Sequence, residues 1–387
     1  MRKTDRTAAA GTAEKRGPRP LELLLILILA ALLVWTMLHL RPDNGTTAAS
    51  AGASRLNLSG KLDVYAHNAG ADALGDAAYT RKIYTLQENA VAGPEPNPAC
   101  FGTTYDPAMI ADVIRCATPL LDGQEVVFDP DVEFVPNEPI RYYLDDTILV
   151  IAWKEYINES CCTLAEVKIA HGSQLRRKLA QDTYGSSVQF YCTQLAKTVN
   201  AVLASNADYY VYRDHGITVY QRKLYRNKPA YVDTCFFTAD GDLLFSRAGE
   251  LMGEGEAQRF IDDNDVLFSC SFGPVLMENG VPEYHKSYAL GEINIPDSRS
   301  CIAMKGKLHY LMMTVNETIS GRPRININQF ADFISSKKVD KAYALDGGQT
   351  SELVMMGGPI NRIDFGCERT VSDIIYFATA IPEEEWK

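Results

Sequence analysis

A carboxylate followed by two glycines is the feature of the sequence best suited to chemistry. The apolar run 341–345 ends directly in Asp346, and Gly347 and Gly348 come next. Glycines let the backbone approach a ligand closely. Side chains that could hydrogen bond a polar substrate follow shortly afterwards: Ser351, Glu352 and Asn361. An Asp-Gly-Gly sequence at the end of a strand also has a purely steric explanation, so the spacing alone does not establish a site.

Three arginines that could bind an anion lie far apart in the sequence, at Arg213, Arg299 and Arg369. A guanidinium group can donate two parallel hydrogen bonds to the oxygens of one anion. A second carboxylate, Asp208, lies two residues after Asn206, whose side-chain amide can donate and accept hydrogen bonds. A surface ion pair is the competing explanation for each arginine, and a turn cap is the competing explanation for Asp208.

The order of these motifs resembles that of the phosphodiester glycosidase family. The family's C-terminal pattern is Asp-Gly-Gly-Gly-Ser-Ser followed by Asn and Arg, and the corresponding residues here are Asp346, Ser351, Asn361 and Arg369. Three upstream segments also resemble family motifs: 206–210 (an Asn-Gly-Gly-Phe-Phe type loop), 271–276 (a Phe-Gly-Pro segment) and 296–303 (an Arg-strand-hairpin-strand unit). The resemblance covers roughly residues 145 to 380.

The resemblance implies a hydrolase that cleaves the bond between a sugar's anomeric carbon and a phosphodiester oxygen, with no cofactor or metal. Such cleavage builds positive charge on the sugar, which a carboxylate stabilises, while cations stabilise the departing phosphate. The catalytic residues implied in this way are Asp346, Asp208, Arg299 and Arg369. The substrate-binding residues implied are Asn206, Arg213, Gly347, Gly348, Ser351, Glu352 and Asn361.

Two departures from the family pattern leave an alternative open. Gln349 replaces the third glycine, and Glu352 stands where the family usually has a small hydroxyl residue. The alternative is a non-catalytic protein of the same fold that binds glycan or assists exopolysaccharide assembly. In both hypotheses the partner is a carbohydrate or a phosphodiester-linked glycan.

The start of the chain has the composition of a membrane anchor with its flanks. Residues 1–20 carry six basic and two acidic side chains, and 21–40 form an apolar run interrupted by Glu22. A helix of that length rises about 30 Å, enough to cross a hydrocarbon core. We therefore predict a cytoplasmic tail at 1–20, a transmembrane signal anchor at 21–40 and a flexible linker at 41–60. The C-terminal domain would lie outside the cytoplasm at the cell membrane, and a cleaved signal peptide is the alternative.

Charge and cysteine spacing argue against two classes of function. The net charge is −11, whereas a nucleic-acid-binding surface needs clustered Lys and Arg, so we expect no nucleic-acid partner. The nine cysteines include no C-x-x-C pair, which gives no support to a zinc ribbon or a thioredoxin-type site. Their odd number leaves at least one free thiol, and a redox-regulated or adhesive ectodomain is a third hypothesis.

Strand-length runs and turns indicate an α+β domain at 146–380, with a mostly antiparallel or mixed sheet and flanking helices. Strands are predicted at 147–153, 164–169, 216–220, 230–237, 300–304, 308–315 and 341–345, with hairpin turns at 239–242 and 304–307. Helices are predicted at 107–116, 173–179 and 327–335. Residues 61–145 are otherwise predicted to be an irregular extracytoplasmic region.

Overall fold

The computed structural model describes residues 84–85, 92–290, 293–316 and 325–382. The predicted tail, signal anchor and linker at 1–60 lie outside the described residues. Among the residues that are described, no helix combines the length and the apolar character needed to span a membrane.

Short helices and many strands make up the described part of the chain. The helices are α1 Pro107–Cys116, α2 Thr118–Leu121, α3 Cys192–Thr198, α4 Glu256–Asp263 and α5 Ile327–Ser336. The first strands are β1 Tyr84–Thr85, β2 Phe101–Thr104, β3 Ile140–Leu144, β4 Ile148–Ile157, β5 Ser160–Ile169, β6 Leu175–Leu179 and β7 Leu203–Asn206. The next are β8 Gly216–Tyr220, β9 Lys223–Lys228, β10 Thr234–Thr238, β11 Leu243–Ser246, β12 Val266–Cys270, β13 Val275–Glu278 and β14 Val281–Pro282. The last are β15 Arg299–Gly306, β16 His309–Asn316, β17 Lys341–Leu345, β18 Leu353–Met355, β19 Gly358–Pro359, β20 Asp373–Phe377 and β21 Ile381–Pro382.

The main sheet is antiparallel and is buried on both faces. In the described residues its strand order is β14-β13-β17-β15-β16-β5-β4-β3-β2. Strand β5 is buried along its whole length. Neighbouring side chains of a strand point to opposite faces, and accordingly Leu164 packs in one core and Ala165 in another.

Different elements cover the two faces of the main sheet. On one face, α1 contributes Ile110 and α5 contributes Phe330 to a core that contains Trp153. On the other face lie a second sheet, ordered β19-β18-β7-β20-β6, and a third sheet, ordered β11-β10-β12. Leu203 of the second sheet and Phe237 of the third pack in the same core as Ala165 of the main sheet. The described fold is therefore α+β and mostly antiparallel, as the sequence predicts.

Most of the predicted elements are confirmed. The helix predicted at 107–116 is α1, which begins with Pro107 in its first turn and is capped by the Asp106 side chain. Helix α5 ends one residue beyond its predicted end and is capped by Asn326. The predicted strands correspond to β4, β5, β8, β10, β15, β16 and β17, with shifts at their ends.

The helix predicted at 173–179 is wrong. Residues Gly172–Gln174 form a single 3-10 turn, and strand β6 begins at Leu175. Leu175, Arg177 and Leu179 are all buried, at the two-residue spacing of a strand. Strand β6 pairs with β20 along its whole length, so pairing between distant segments overrides the local helical spacing.

Strands β2 and β3 come from the region that the sequence indicates as irregular. They pair with each other, and β3 also pairs with β4, so that they extend one edge of the main sheet. The short length of both strands accounts for their weak signal in the sequence.

Candidate active site

Asp346 lies where the main sheet and the second sheet meet. Strand β17 ends one residue before it, and its backbone N–H donates to the carbonyl of Ala207, just beyond β7, at 2.9 Å. The side-chain amide of Asn206 donates to the Asp346 carbonyl at 2.6 Å. The buried side-chain oxygen of Asn206 accepts from the Ser300 hydroxyl at 3.1 Å and the Glu352 N–H at 3.2 Å. Two sheets thus fix the backbone of Asp346.

The two glycines let the loop after Asp346 fold tightly against Ser298. A Cβ at Gly347 would lie 2.7 Å from the Ser298 carbonyl oxygen, too close for any side chain. Gly348 has a φ of 65°, which favours glycine, and its N–H donates to the same carbonyl at 2.9 Å. The loop holds the Asp346 carboxylate, which accepts from the Gly347 N–H at 3.0 Å and the Thr350 hydroxyl at 2.8 Å.

Asp346 opens onto a cavity of about 330 Å³. The walls combine apolar, aromatic and charged side chains with backbone: Phe272, Gly273, Tyr288, Leu290, Ile293, Asp297, Arg299, Ser300, Ile327, Ala344, Leu345, Asp346, Gly347 and Gly348. Gly273 packs closely against Tyr288 in the cavity wall, because a Cβ there would lie 2.3 Å from the Tyr288 hydroxyl. Apolar walls with a few placed polar groups suit a small polar ligand.

The carboxyl group of Asp346 has a raised pKa. Burial raises the pKa from 3.8 to about 6, against the opposing effects of the Thr350 hydroxyl, Arg213, the Gly347 N–H and Arg369. Burial disfavours the charged carboxylate, whereas hydrogen bonds and cations favour it. At neutral pH the group is therefore mostly ionised, yet its pKa is close enough to the working pH for it to accept a proton.

Two of the predicted arginines, Arg213 and Arg369, act on Asp346 through their charge. The Arg213 guanidinium lies 4.8 Å from the ring centroid of Tyr209 and 5.0 Å from that of Phe272. Its Nη1 is buried and has no hydrogen-bond partner within the described ranges, and burial lowers its pKa. Arg369 is exposed. Arg213 is thus a cation beside the cavity wall, and its Nη1 has no acceptor among the described residues.

Arg299 lines the cavity and also supports its wall. Its Nη2 donates to the carbonyl oxygens of Ile293 at 3.3 Å and Ile295 at 2.7 Å. Burial lowers the pKa of Arg299, and the nearby Asp297 carboxylate opposes this effect. Arg299 therefore adds positive charge to the cavity while it anchors the segment before β15.

Asp208 is not part of the cavity lining, although the sequence predicts a catalytic role for it. Its carboxylate accepts from the backbone N–H groups of Tyr210 at 2.7 Å and Ser271 at 2.9 Å. Arg177 pairs with Asp208 at 3.1 Å and with Asp373 at 2.6 Å, and all three side chains are 0% exposed. Sequence reasoning missed Arg177 and Asp373, because a charged residue in a strand gives no sign that it is buried. This ion triad fixes the segment after β7.

Ser351, Glu352 and Asn361 are buried behind the loop and are not part of the cavity lining. The Asn361 side-chain oxygen accepts from the Leu353 N–H at 2.7 Å, and its amide donates to the Ser351 carbonyl at 3.0 Å. Burial raises the pKa of Glu352 to about 9, and the charge and hydrogen bond of Glu368 act in the same direction. These side chains support the loop from behind.

Several cavity residues were not predicted as site residues: Phe272, Gly273, Tyr288, Leu290, Ile293, Asp297, Ser300 and Ile327. Phe272, Gly273, Asp297 and Ser300 lie within the segments that resemble family motifs, so that signal could have found them. Tyr288, Leu290, Ile293 and Ile327 have no spacing that distinguishes them from core residues. Within the described residues, no cluster of three or more His, Cys, Asp or Glu side chains could hold a metal ion.

Residues 199–378 match the family model described as phosphodiester glycosidase. This region belongs to the phosphodiester glycosidase family. The family that the ordered motifs indicate is thereby confirmed for the stretch that contains Asp346 and the candidate arginines. No curated protein matches the chain.

Three solved structures resemble the chain at low sequence identity. A hypothetical protein from Synechocystis has 13% identity and a TM-score of 0.46 over 64% of this chain, which spans 64% of that protein. The catalytic domain of zebrafish N-acetylglucosamine-1-phosphodiester alpha-N-acetylglucosaminidase, auto-inhibited by its pro-peptide, has 15% identity and a TM-score of 0.49 over 78% of this chain and 96% of that one. A putative exported protein from Burkholderia pseudomallei has 11% identity and a TM-score of 0.39 over 57% of this chain and 74% of that one.

The two residues that depart from the phosphodiester glycosidase pattern, Gln349 and Glu352, lie outside the cavity lining. The Gln349 side chain donates to the Cys367 carbonyl at 3.3 Å, and Glu352 is buried behind the loop. Neither residue is part of the cavity wall. The phosphodiester glycosidase region therefore keeps a cavity that these two side chains do not obstruct.

Proposed function

We propose that this chain hydrolyses a sugar-1-phosphodiester and releases the free sugar. One observation carries the proposal: Asp346 lines a cavity, and the charges of Arg213 and Arg369 act on its carboxyl group. Family membership of residues 199–378 points to the same reaction class. A carboxylate beside cations is the arrangement that cleavage of a glycosyl phosphate requires.

In the proposed reaction the sugar occupies the cavity with its anomeric carbon near Asp346. A water molecule attacks that carbon, and Asp346 accepts one of its protons. The bond from carbon to phosphate oxygen breaks, and its electron pair stays on the phosphate, which leaves as a phosphomonoester. Arg213 and Arg369 stabilise the departing phosphate, and the Asp346 carboxylate stabilises the positive charge that develops on the sugar.

The remaining predicted residues are proposed to act by position. Arg299 and the backbone of Gly347 and Gly348 form the cavity wall and contact the sugar. The buried side chains hold the loop and the end of β7 in place: Asn206, Asp208, Ser351, Glu352 and Asn361. Holding a carboxylate in place before substrate arrives lowers the cost of organising the transition state.

We also propose that the reaction takes place outside the cytoplasm, on an envelope polymer or glycan. The basic tail and apolar run at 1–40 support this location. Protease added to intact cells should then degrade the C-terminal domain. A domain that resists protease until the membrane is opened would contradict this location.

The test of the activity uses the full-length chain in detergent with the methyl phosphodiester of N-acetylglucosamine 1-phosphate and a panel of other sugars. We expect Asp346→Asn to lower kcat at least about 100-fold, because it removes the proton acceptor. The matched control is Asp340→Asn, an exposed carboxylate just before the opposite end of β17, which should keep full activity.

Two results would contradict the proposed function. One is an Asp346→Asn variant that hydrolyses the ester as fast as the unchanged chain. The other is a chain that binds glycan without any turnover across the panel, which would favour the non-catalytic alternative.

A further inference from the structure

The loop that carries Arg213 joins β7 to β8 and contains one short turn. Residues Tyr210–Tyr212 form a 3-10 turn, and Arg213 follows it in an extended conformation. The Arg213 guanidinium packs against the rings of Tyr209 and Phe272, and its Nη1 has no acceptor among the described residues. The position of this cation therefore depends on what holds the backbone of the loop.

A second arginine, Arg226 of β9, holds that backbone from outside the loop. Its Nη1 donates to the carbonyl oxygens of Tyr210 at 2.9 Å and of Arg213 at 2.6 Å. The two acceptors lie on either side of the end of the 3-10 turn, so one nitrogen bridges the turn. Arg226 is 8% exposed, and water therefore competes little for these hydrogen bonds.

The other nitrogens of the Arg226 side chain make no hydrogen bond to the described residues. Its Nε and Nη2 are buried without a partner there. A buried charge and an unpaired buried donor both cost free energy. The guanidinium is therefore a poor means of stabilising the fold as a whole. What its hydrogen bonds do determine is the path of the loop that ends in Arg213.

The start of the loop is held separately, by the buried ion triad. The Tyr210 N–H donates to Asp208, whose carboxylate pairs with Arg177. The Tyr210 side chain is buried, and the Arg177 guanidinium lies 5.3 Å from its ring centroid. The hydrogen bond at the Arg213 carbonyl, in contrast, comes from Arg226. Removing Arg226 should release the Arg213 end of the loop and leave the Tyr210 end in place.

We propose that Arg226 is a positioning residue, which holds Arg213 where it can bind the departing phosphate. Arg226 itself is not part of the cavity lining. Every effect of Arg226 on phosphate binding should therefore pass through Arg213. This inference rests on the proposed function, in which Arg213 stabilises the phosphate that leaves.

The test is a double-mutant cycle on the full-length chain, with methyl phosphate as the probe. Methyl phosphate is the phosphomonoester that the methyl phosphodiester would release. By calorimetry we expect Arg213→Met to raise its dissociation constant about tenfold and Arg226→Met about fivefold, because each weakens hydrogen bonding to a charged group. The double variant should bind methyl phosphate as Arg213→Met does, since two residues that act through one contact are not additive.

Arg226→Lys is the conservative variant. An ammonium group keeps the charge and can donate to both carbonyl oxygens, so it should restore most of the affinity that Arg226→Met loses. The matched control is Arg222→Met, which removes an exposed arginine just before β9, where it pairs with Asp265. This control should leave methyl phosphate binding unchanged. Urea unfolding of each chain checks that the affinities belong to folded proteins.

An additive cycle would overturn the proposal, because Arg226 would then act on the phosphate by its own charge or on the fold as a whole. Unchanged binding in Arg226→Met, or an unchanged chain that does not bind methyl phosphate, would overturn it too. Should Arg226→Met fail to fold, the cycle is run with Arg226→Gln, which keeps a donor in a neutral side chain. Its loss of affinity should likewise disappear in the Arg213→Met background.

Failure of the proposed function gives a different result. In that case the unchanged chain hydrolyses no ester of the panel, while the binding of methyl phosphate and the non-additive cycle are still measured. If instead the methyl phosphodiester is hydrolysed and the cycle is additive, the proposed function stands and Arg226 has no positioning role.

Discussion

At the scale of single residues, the Asp346 carboxyl group combines burial with neighbours that favour its charge. Its pKa is about 6 because burial outweighs the Thr350 hydroxyl, the Gly347 N–H and the two arginine charges. Such a group changes its charge near neutral pH, where a general base is most useful. The rate of hydrolysis should therefore follow the ionisation of this one carboxyl group.

We predict that kcat/KM falls below about pH 6, approaching tenfold per pH unit, as Asp346 is protonated. Stability should change in the opposite sense: the folded pKa lies above the unfolded value of 3.8, so the free energy of unfolding falls as pH rises through this range. Asp346→Asn should remove that fall and melt no lower than the unchanged chain at pH 7. A fall of kcat/KM that begins only near pH 4, or no fall at all between pH 7 and pH 4, would contradict the role of Asp346.

Glu352 provides a second pH-dependent group, away from the cavity. Its pKa of about 9 lies above the unfolded value of 4.5, so its contribution to the free energy of unfolding declines as pH rises between these values. We predict that Glu352→Gln matches the unchanged chain in urea unfolding at pH 5 and is more stable than it at pH 9. The control is the exposed Glu133→Gln, which should show no such difference. Equal stability of all three chains at pH 9 would rule out a buried neutral Glu352.

The residues that the sequence indicates as a site have two different settings in the structure. Asp346 and Arg299 share one cavity, and Arg213 and Arg369 act on the same carboxylate. Asp208 has the residue type and position of a catalytic group, but its charge is matched by a buried arginine. Polar motif residues that bind substrate and those that hold a loop look alike in a sequence, and burial separates them.

At the scale of elements, the loop between β17 and β18 depends on its close approach to the segment before β15. Gly347 has no space for a side chain because the Ser298 carbonyl is 2.7 Å from its Cβ position, whereas Gly358 has no atom within 4 Å. The two glycines therefore differ in what they tolerate.

Gly347→Ala should lower the free energy of unfolding by about 1–3 kcal/mol, because the added methyl group forces the loop away from Ser298. It should also reduce hydrolysis by displacing Asp346. Gly358→Ala should change neither property, and urea unfolding with activity measured on the same samples checks both. A Gly347→Ala chain as stable and as active as Gly358→Ala would show that the tight loop is not needed.

The sequence predicts the type of an element correctly where apolar residues recur with a clear period. It fails where pairing with a distant strand determines the structure. Helix α1 has apolar residues at helical spacing and a cap, and it forms as predicted. Strand β6 has a spacing that fits a helix, but pairing with β20 and the burial of Arg177 make it a strand. The partner strand β20 lies almost two hundred residues further along the chain. No local sequence pattern around β6 reveals a pairing at that separation.

At the scale of the whole molecule, most cysteines are buried in the cores between the sheets and helices. Eight of the nine are buried and Cys367 is exposed, and none of these cysteines, all of which lie in the described residues, forms a disulfide. Burial raises the pKa of thiols such as Cys162 and Cys192. A thiol that is both buried and protonated reacts slowly.

We predict that a thiol reagent labels one cysteine rapidly in the folded full-length chain and nine in denaturant. The Cys367→Ser chain should lose the rapid phase and keep the slow ones. Fewer than nine reactive thiols in denaturant without reductant would reveal disulfides. That result would favour the third hypothesis, a redox-regulated or adhesive ectodomain.

In the proposed reaction, water attacks the anomeric carbon of the sugar and not the phosphorus atom. Hydrolysis of the methyl phosphodiester in water enriched in oxygen-18, followed by mass spectrometry of both products, tests it directly. We predict that the label enters the anomeric hydroxyl of the released sugar and is absent from the phosphomonoester. Label in the phosphomonoester would mean attack at phosphorus and would contradict a glycosidase centred on Asp346.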